Sequence, residues 1–147
     1  MLRISSKSRY ALRIMVYLAQ QGLHAGPARK QDIAEAEEIS PDYVEQILIR
    51  LRAGGLVTSH RGARGGFTLG REPHVIRVLD VIEAAEGSLA FVPDDEQLSR
   101  HPTIAVTSQM WLAAQGVLEE KLAKVTISSL VAEVDALRPG SQLMYDI

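Results

Sequence analysis

The chain of 147 residues, 46% hydrophobic and 23% charged, is long enough for one modest core and has the balance of an ordinary globular protein. It has no cysteine, which excludes disulfides, thiolate metal ligands and cysteine nucleophiles. The net charge of −2 is unevenly spread: residues 1–74 carry 11 Lys+Arg against 7 Asp+Glu, and residues 75–147 carry 5 against 11.

A basic first half gives an electrostatic footprint for phosphates, and an acidic second half stays off them. No apolar run reaches the roughly 18 residues of a membrane span. Near the N-terminus Arg13 interrupts the apolar run, and no small-residue cleavage site follows. Neither a secretion signal nor an anchor is expected, so the expected compartment is the cytoplasm.

In chain order, Lys7 to Gln21 reads as an amphipathic helix, with Tyr10, Ala11, Ile14, Tyr17 and Leu18 on one face and Ser5 or Ser6 as its cap. The segment GLHAGPA breaks it, and a short helix follows from Lys30 to Ala36. Ser40, Pro41 and Asp42 form a helix start, and the stripe Val44, Ile47, Leu48, Leu51 carries that helix to Arg52 or Ala53 before Gly54 and Gly55 stop it. LVTSH and FTLG then read as two short strands around the glycine-rich basic turn RGARGG. Helix, helix, turn, helix and hairpin is the order of a winged helix-turn-helix.

Beyond the hairpin, Val75 to Ala85 reads as a helix, with Val75, Val78, Leu79 and Ile82 on one face. Ser88 to Thr103 lacks a clean period and reads as loop or broken helix. Thr103 to Val125 reads as a long helix whose residues Ile104, Trp111, Leu118 and Val125 recur at sevens, a seam for dimerisation. Thr126 caps a last helix from Ile127 to Leu137. The expected fold class is mainly α with a small β-hairpin wing. Residues 1–74 would form the DNA-binding unit, and residues 75–147 the linker helix, sensing loop and dimerisation helix of a single compact chain.

In this arrangement the first turns of the third helix meet base edges, which nominates Ser40, Asp42, Tyr43 and Gln46. Gln46 can pair with adenine through its amide, and Tyr43 can meet a phosphate or a thymine methyl. The competing reading of these residues is an N-cap and a solvated surface. At the hairpin tip, glycines allow close approach, and Arg61 or Arg64 can sit on phosphates or in a narrow minor groove. Lys7, Arg9, Lys30 and Arg50 are candidates for sequence-independent phosphate contacts.

The strings KSRYALRIMVYLA, DIAEAEEISPDYVEQILIRLRAGGLVTSHRGARGGFTLGREP and VLDVIEAAEG resemble the Rrf2 family of winged-helix regulators over about the first 87 residues, and more loosely through Trp111 and VTISSLV. The resemblance implies a homodimer built on the long helix, a palindromic operator in double-stranded DNA, and contacts from Ser40, Tyr43, Gln46 and Arg61. The chain departs from many relatives in the wing, at Ala63 and Arg64. Many members hold an iron-sulfur cluster with three cysteines in the loop that here spans Phe91 to Ala105, which contains none. His101, Asp94, Asp95 and Glu96 there read as a solvated acidic loop, so neither a metal nor any other cofactor is expected.

The cysteine-free loop and the tail Met144, Tyr145, Asp146 and Ile147 look most like the family's repressors of cysteine and sulfur metabolism. By that resemblance the tail would bind cysteine synthase, its terminal carboxylate entering a pocket built for an amino-acid substrate. No phosphate-loop motif or histidine-carboxylate cluster supports an enzyme. Two readings remain: a homodimeric repressor, or a dimeric interaction module that acts mainly by binding a metabolic enzyme.

Overall fold

The computed structural model describes residues 3–22 and 25–140. Helix α1 (Ser6–Gly22) buries Ala11, Ile14, Met15, Leu18 and Ala19, spaced at threes and fours as one helical face requires. Sequence periodicity finds Ala11, Ile14 and Leu18. It misses Met15, and it includes Tyr10 and Tyr17, which are only half-buried at the edges of that face.

Helix α2 (Lys30–Glu37) ends at Glu38 in the left-handed conformation, φ 55° and ψ 45°, which sets up the tight link into helix α3 (Pro41–Ala53). The Ser40 hydroxyl accepts the Tyr43 amide at 3.3 Å, Pro41 opens the helix, and Val44, Ile47, Leu48 and Leu51 are buried. Gly55, at φ +74°, turns the chain into the hairpin.

Strands β1 (Val57–His60) and β2 (Gly66–Leu69) pair antiparallel, in a register running from Val57 opposite Leu69 to His60 opposite Gly66. Ala28 bridges the other edge of β2, its amide donating to Phe67 O at 2.9 Å and its carbonyl accepting the Phe67 amide at 2.8 Å. Glycine is required at position 66: a Cβ there would lie 2.5 Å from Ala28 O, at a φ of +152°.

The next helix begins later than the Val75 expected from periodicity. Pro73–Val75 is a 3-10 turn, Val75 is 51% exposed, and α4 runs Val78–Glu86. The cause is local. Asp80 accepts the Arg77 backbone amide at 2.9 Å, and its other oxygen pairs with Arg77 Nη2 at 2.6 Å, so the helix is capped at Arg77. The Arg77 hydrogen bond holds the Asp80 carboxyl below its ordinary range.

A single turn, α5 (Asp94–Gln97), interrupts the expected loop, followed by the long helix α6 (Pro102–Lys124) and by α7 (Ile127–Ala136). Thr126 and Ser129 cap α7 reciprocally. Val78 donates to Val125 O at 2.8 Å and Ile127 to Ile76 O at 2.9 Å, clamping the start of α7 to the start of α4. Ile76, Val81, Ala85, Ile127 and Val131 join the core formed by α1 to α3, so one hydrophobic core links the basic and acidic halves. Ser108 is the one fully buried residue of α6, and no helix among the described residues is long and apolar enough to cross a membrane.

Candidate nucleic-acid interface

Helix α3 buries one face and leaves Asp42, Glu45, Gln46, Ile49 and Arg50 outside. Asp42 and Gln46 have no hydrogen-bond or ion-pair partner among the described residues, so their side chains are available to a ligand. Ile49 is 63% exposed on the same face, which the sequence hides because it adjoins the buried Ile47 and Leu48. An exposed isoleucine beside an exposed amide can meet a thymine methyl while the amide reads adenine.

Two predicted contact residues have structural duties. Ser40 Oγ accepts the Tyr43 amide, while its O–H stays able to donate. Tyr43 turns toward α1, where its ring packs edge-to-face on Tyr10 with centroids 5.6 Å apart and its hydroxyl lies 3.3 Å from Ser6 Oγ. The predicted phosphate contacts divide in the same way. Lys30 Nζ sits 3.4 Å from Glu45 Oε2, bridging α2 and α3, and Arg50 Nη1 reaches Ala85 O of α4 at 3.4 Å. Lys7 is half-buried in the first turn of α1, whereas Arg9 is exposed.

At the wing tip Arg61 and Arg64 are exposed, with no partner among the described residues. Gly62 at φ +100° and the hydrogen bond from Gly65 N to Gly62 O at 2.9 Å form the turn. Three braces absent from the sequence reading hold it. Arg29 donates to Ala63 O at 2.9 Å, Arg52 to Ser59 Oγ at 3.2 Å, and His60 Nε2 lies 2.8 Å from Thr68 Oγ1. Arg29 was missed because it lies 34 residues from its acceptor.

On α6, Ile104 and Leu118, with Val125 just past its end, are half-buried against the same chain, and Trp111 is 45% exposed at the margin of that face. The opposite side carries a second apolar stripe, Val106, Met110 and Val117, exposed by 68%, 51% and 70%, with Ala113 between them. The tail residues Met144, Tyr145, Asp146 and Ile147 lie outside the described residues.

Before α6, the Phe91 amide donates to Gln115 Oε1 at 2.9 Å, pinning the loop to the helix. Val92 is buried, while Asp94, Asp95, Glu96 and His101 face solvent.

Comparison with known proteins gives one consistent result. The Rrf2 family model, described as an iron-dependent transcriptional regulator, matches residues 4–133. The HTH-type transcriptional regulator CymR of Bacillus subtilis is 35% identical over 147 residues, covering 98% of this chain and 97% of the relative. Among solved structures, that of B. subtilis CymR, titled the global cysteine regulator, is similar at TM-score 0.73 and 37% identity over 90% of this chain and 98% of the other. That of T. potens IscR is similar at TM-score 0.76 and 35% identity over 98% and 97%. The family description names iron, but the donors here do not fit a thiolate-held centre. The sequence has no cysteine, and no group of three His, Asp or Glu side chains among the described residues is placed to hold a metal.

Proposed function

The chain belongs to the Rrf2 family of winged-helix transcriptional regulators, and on that premise we propose that it works in the cytoplasm as a homodimeric repressor of a palindromic operator beside genes of cysteine and sulfur metabolism. It is a DNA-binding regulator and not an enzyme, as its relatives are. The observation that carries the finer reading is the open face of α3, with Gln46 and Ile49, and a braced wing whose Arg61 and Arg64 have no partner among the described residues.

In this reading residues 1–74 form the DNA-reading unit. Gln46 and Ile49 enter the major groove, and Asp42 sits at the edge of that contact. Ser40 and Tyr43 set the pitch of α3, and the wing arginines hold phosphates or the adjacent minor groove. Lys7, Lys30 and Arg50 add positive potential along the same side. Residues 75–147 supply the dimer. The Val106, Met110, Ala113 and Val117 stripe meets its counterpart on a second copy, with Trp111 at its margin, while Ile104, Leu118 and Val125 secure α6 to its own reading head. The cysteine assignment is supported by the printed function of B. subtilis CymR, to which this chain is similar along nearly its whole length.

The test is capture of fragmented genomic DNA by the purified protein, beside Gln46→Ala and Arg61→Ala. A palindrome near sulfur-metabolism genes, lost in the variants, supports the reading; a palindrome elsewhere removes only the sulfur assignment. A second reading is a module that binds cysteine synthase through Met144–Ile147, favoured because the similarity to CymR runs through 97% of that relative. Synthase binding that persists after deletion of residues 144–147 would contradict it.

A further inference from the structure

Where the start of α1, the end of α4 and the second half of α6 meet, the chain forms a cleft, open to solvent on one side, of about 310 Å³. Ile82 of α4 and Leu118 and Leu122 of α6 make an apolar floor. Arg3, just before α1, and Glu86, at the end of α4, place opposite charges on its wall. Ser8, on the same wall, is 3% exposed, and its hydroxyl donates to Glu86 Oε1 at 3.2 Å, which holds that carboxylate in place. Arg3 has no hydrogen-bond or ion-pair partner among the described residues, and Glu86 has none beyond Ser8. A cation and a carboxylate thus line one apolar cleft without pairing with each other.

We propose that this cleft binds a small zwitterion, an α-amino acid with a short apolar side chain, whose ammonium meets Glu86 and whose carboxylate meets Arg3. Both side chains are solvent-exposed at the rim, and a molecule with both charges complements them better than an anion or a cation alone. The positive end of α1, beside Ser5 and Ser8, adds to the preference for a carboxylate on the Arg3 side. The volume is at the lower end of the roughly 300–1,000 Å³ typical of small-molecule pockets, which selects a metabolite of amino-acid size over a nucleotide.

The site is also placed to regulate, and this consequence rests on the DNA-binding reading above. Helix α1 carries Ser6 and Tyr10, the residues on which Tyr43 of α3 leans, and α6 carries the stripe assigned to the dimer. A ligand bridging α1, α4 and α6 fixes the reading head against the dimer helix, and with it the distance between the two copies of α3.

The experiment uses the full chain with L-alanine, L-valine, L-leucine and L-methionine as probes, each compared with its decarboxylated amine and its N-acetylated acid at constant ionic strength. Binding is followed by thermal shift and titration calorimetry. The expected result is saturable binding of at least one amino acid and a rise in its Tm, with neither half-charged analogue doing the same. Arg3→Gln and Glu86→Gln should each weaken it at least tenfold. Arg3 lies outside any helix and keeps the test valid if Glu86→Gln, which loses the partner of Ser8, fails to fold. Binding by none of the four, equal binding of an analogue, or affinity unchanged in Arg3→Gln overturns the proposal. Operator affinity is measured in parallel: amino-acid binding without operator binding contradicts the DNA reading alone, and the reverse contradicts the cleft alone. With both intact, a bound amino acid should shift operator Kd at least threefold.

Discussion

Gln46 and Arg61 are both exposed, but they should fail differently when replaced. Gln46→Ala is expected to cost about 1–3 kcal/mol of discrimination at one base pair and to leave the salt dependence nearly unchanged. Arg61→Ala should weaken binding to all sequences and lower the log-log salt slope by about 1. Competition titrations at several salt concentrations separate the two. Tyr43 is a different case: because its ring bears on Tyr10 and its hydroxyl on Ser6, Tyr43→Phe should keep the fold and most of the affinity, whereas Tyr43→Ala should loosen α3 from α1.

The Ser40-Pro41 helix start and the glycine-rich turn were legible in the sequence because their chemistry is local. The bearing of Tyr43 on α1 was not, since Ser6 lies 37 residues away. Nor was the exposure of Ile49, which depends on which neighbours α3 packs against rather than on its own side chain.

At the scale of elements, the caps and close approaches carry the predictions. Gly66→Ala would press a Cβ onto Ala28 O and force a strained φ, so the wing should lose its bridge to Ala28. The expected cost is about 1–3 kcal/mol, read from the denaturation midpoint, together with a loss of DNA affinity resembling that of Arg61→Ala. Asp80 caps α4, and its carboxyl is held below the ordinary value of 3.8 by the Arg77 hydrogen bond. A carboxyl lowered on folding contributes stability that is present above its unfolded value and is lost as pH falls through the lower folded one. Asp80→Asn should therefore cost about 1 kcal/mol at pH 7. The gap between the two proteins should close as chemical denaturation is repeated toward and below pH 3.8. Sequence periodicity placed α4 three residues early because Val75 matches the apolar spacing, while the Arg77-Asp80 cap that sets the start is a pairwise geometry.

For the whole molecule, the proposed homodimer requires a face of α6 that its own chain leaves open. Heptad counting selected Ile104, Trp111, Leu118 and Val125, but α6 is apolar on two sides, and spacing alone cannot say which side its own chain covers. The described contacts give most of that seam to the parent chain and leave Val106, Met110 and Val117 open. Met110→Glu, at the centre of the open stripe, should shift the protein from dimer to monomer in sedimentation at micromolar concentration while leaving its helical content unchanged. A monomer would bind a half-site weakly and lose the full operator.

The charge asymmetry between residues 1–74 and 75–147 was readable at this scale. One core was expected from the length, but the contacts that join the two halves were not readable, because Ile76 and Ile127 meet across 51 positions. The most direct test of the account is selection of bound duplexes from a random DNA library by the purified chain. The account predicts a two-fold symmetric motif, with half-site centres roughly one helical turn or a multiple of it apart, that disappears with Arg61→Ala. Enrichment of an asymmetric site, or of no site at all, would contradict it.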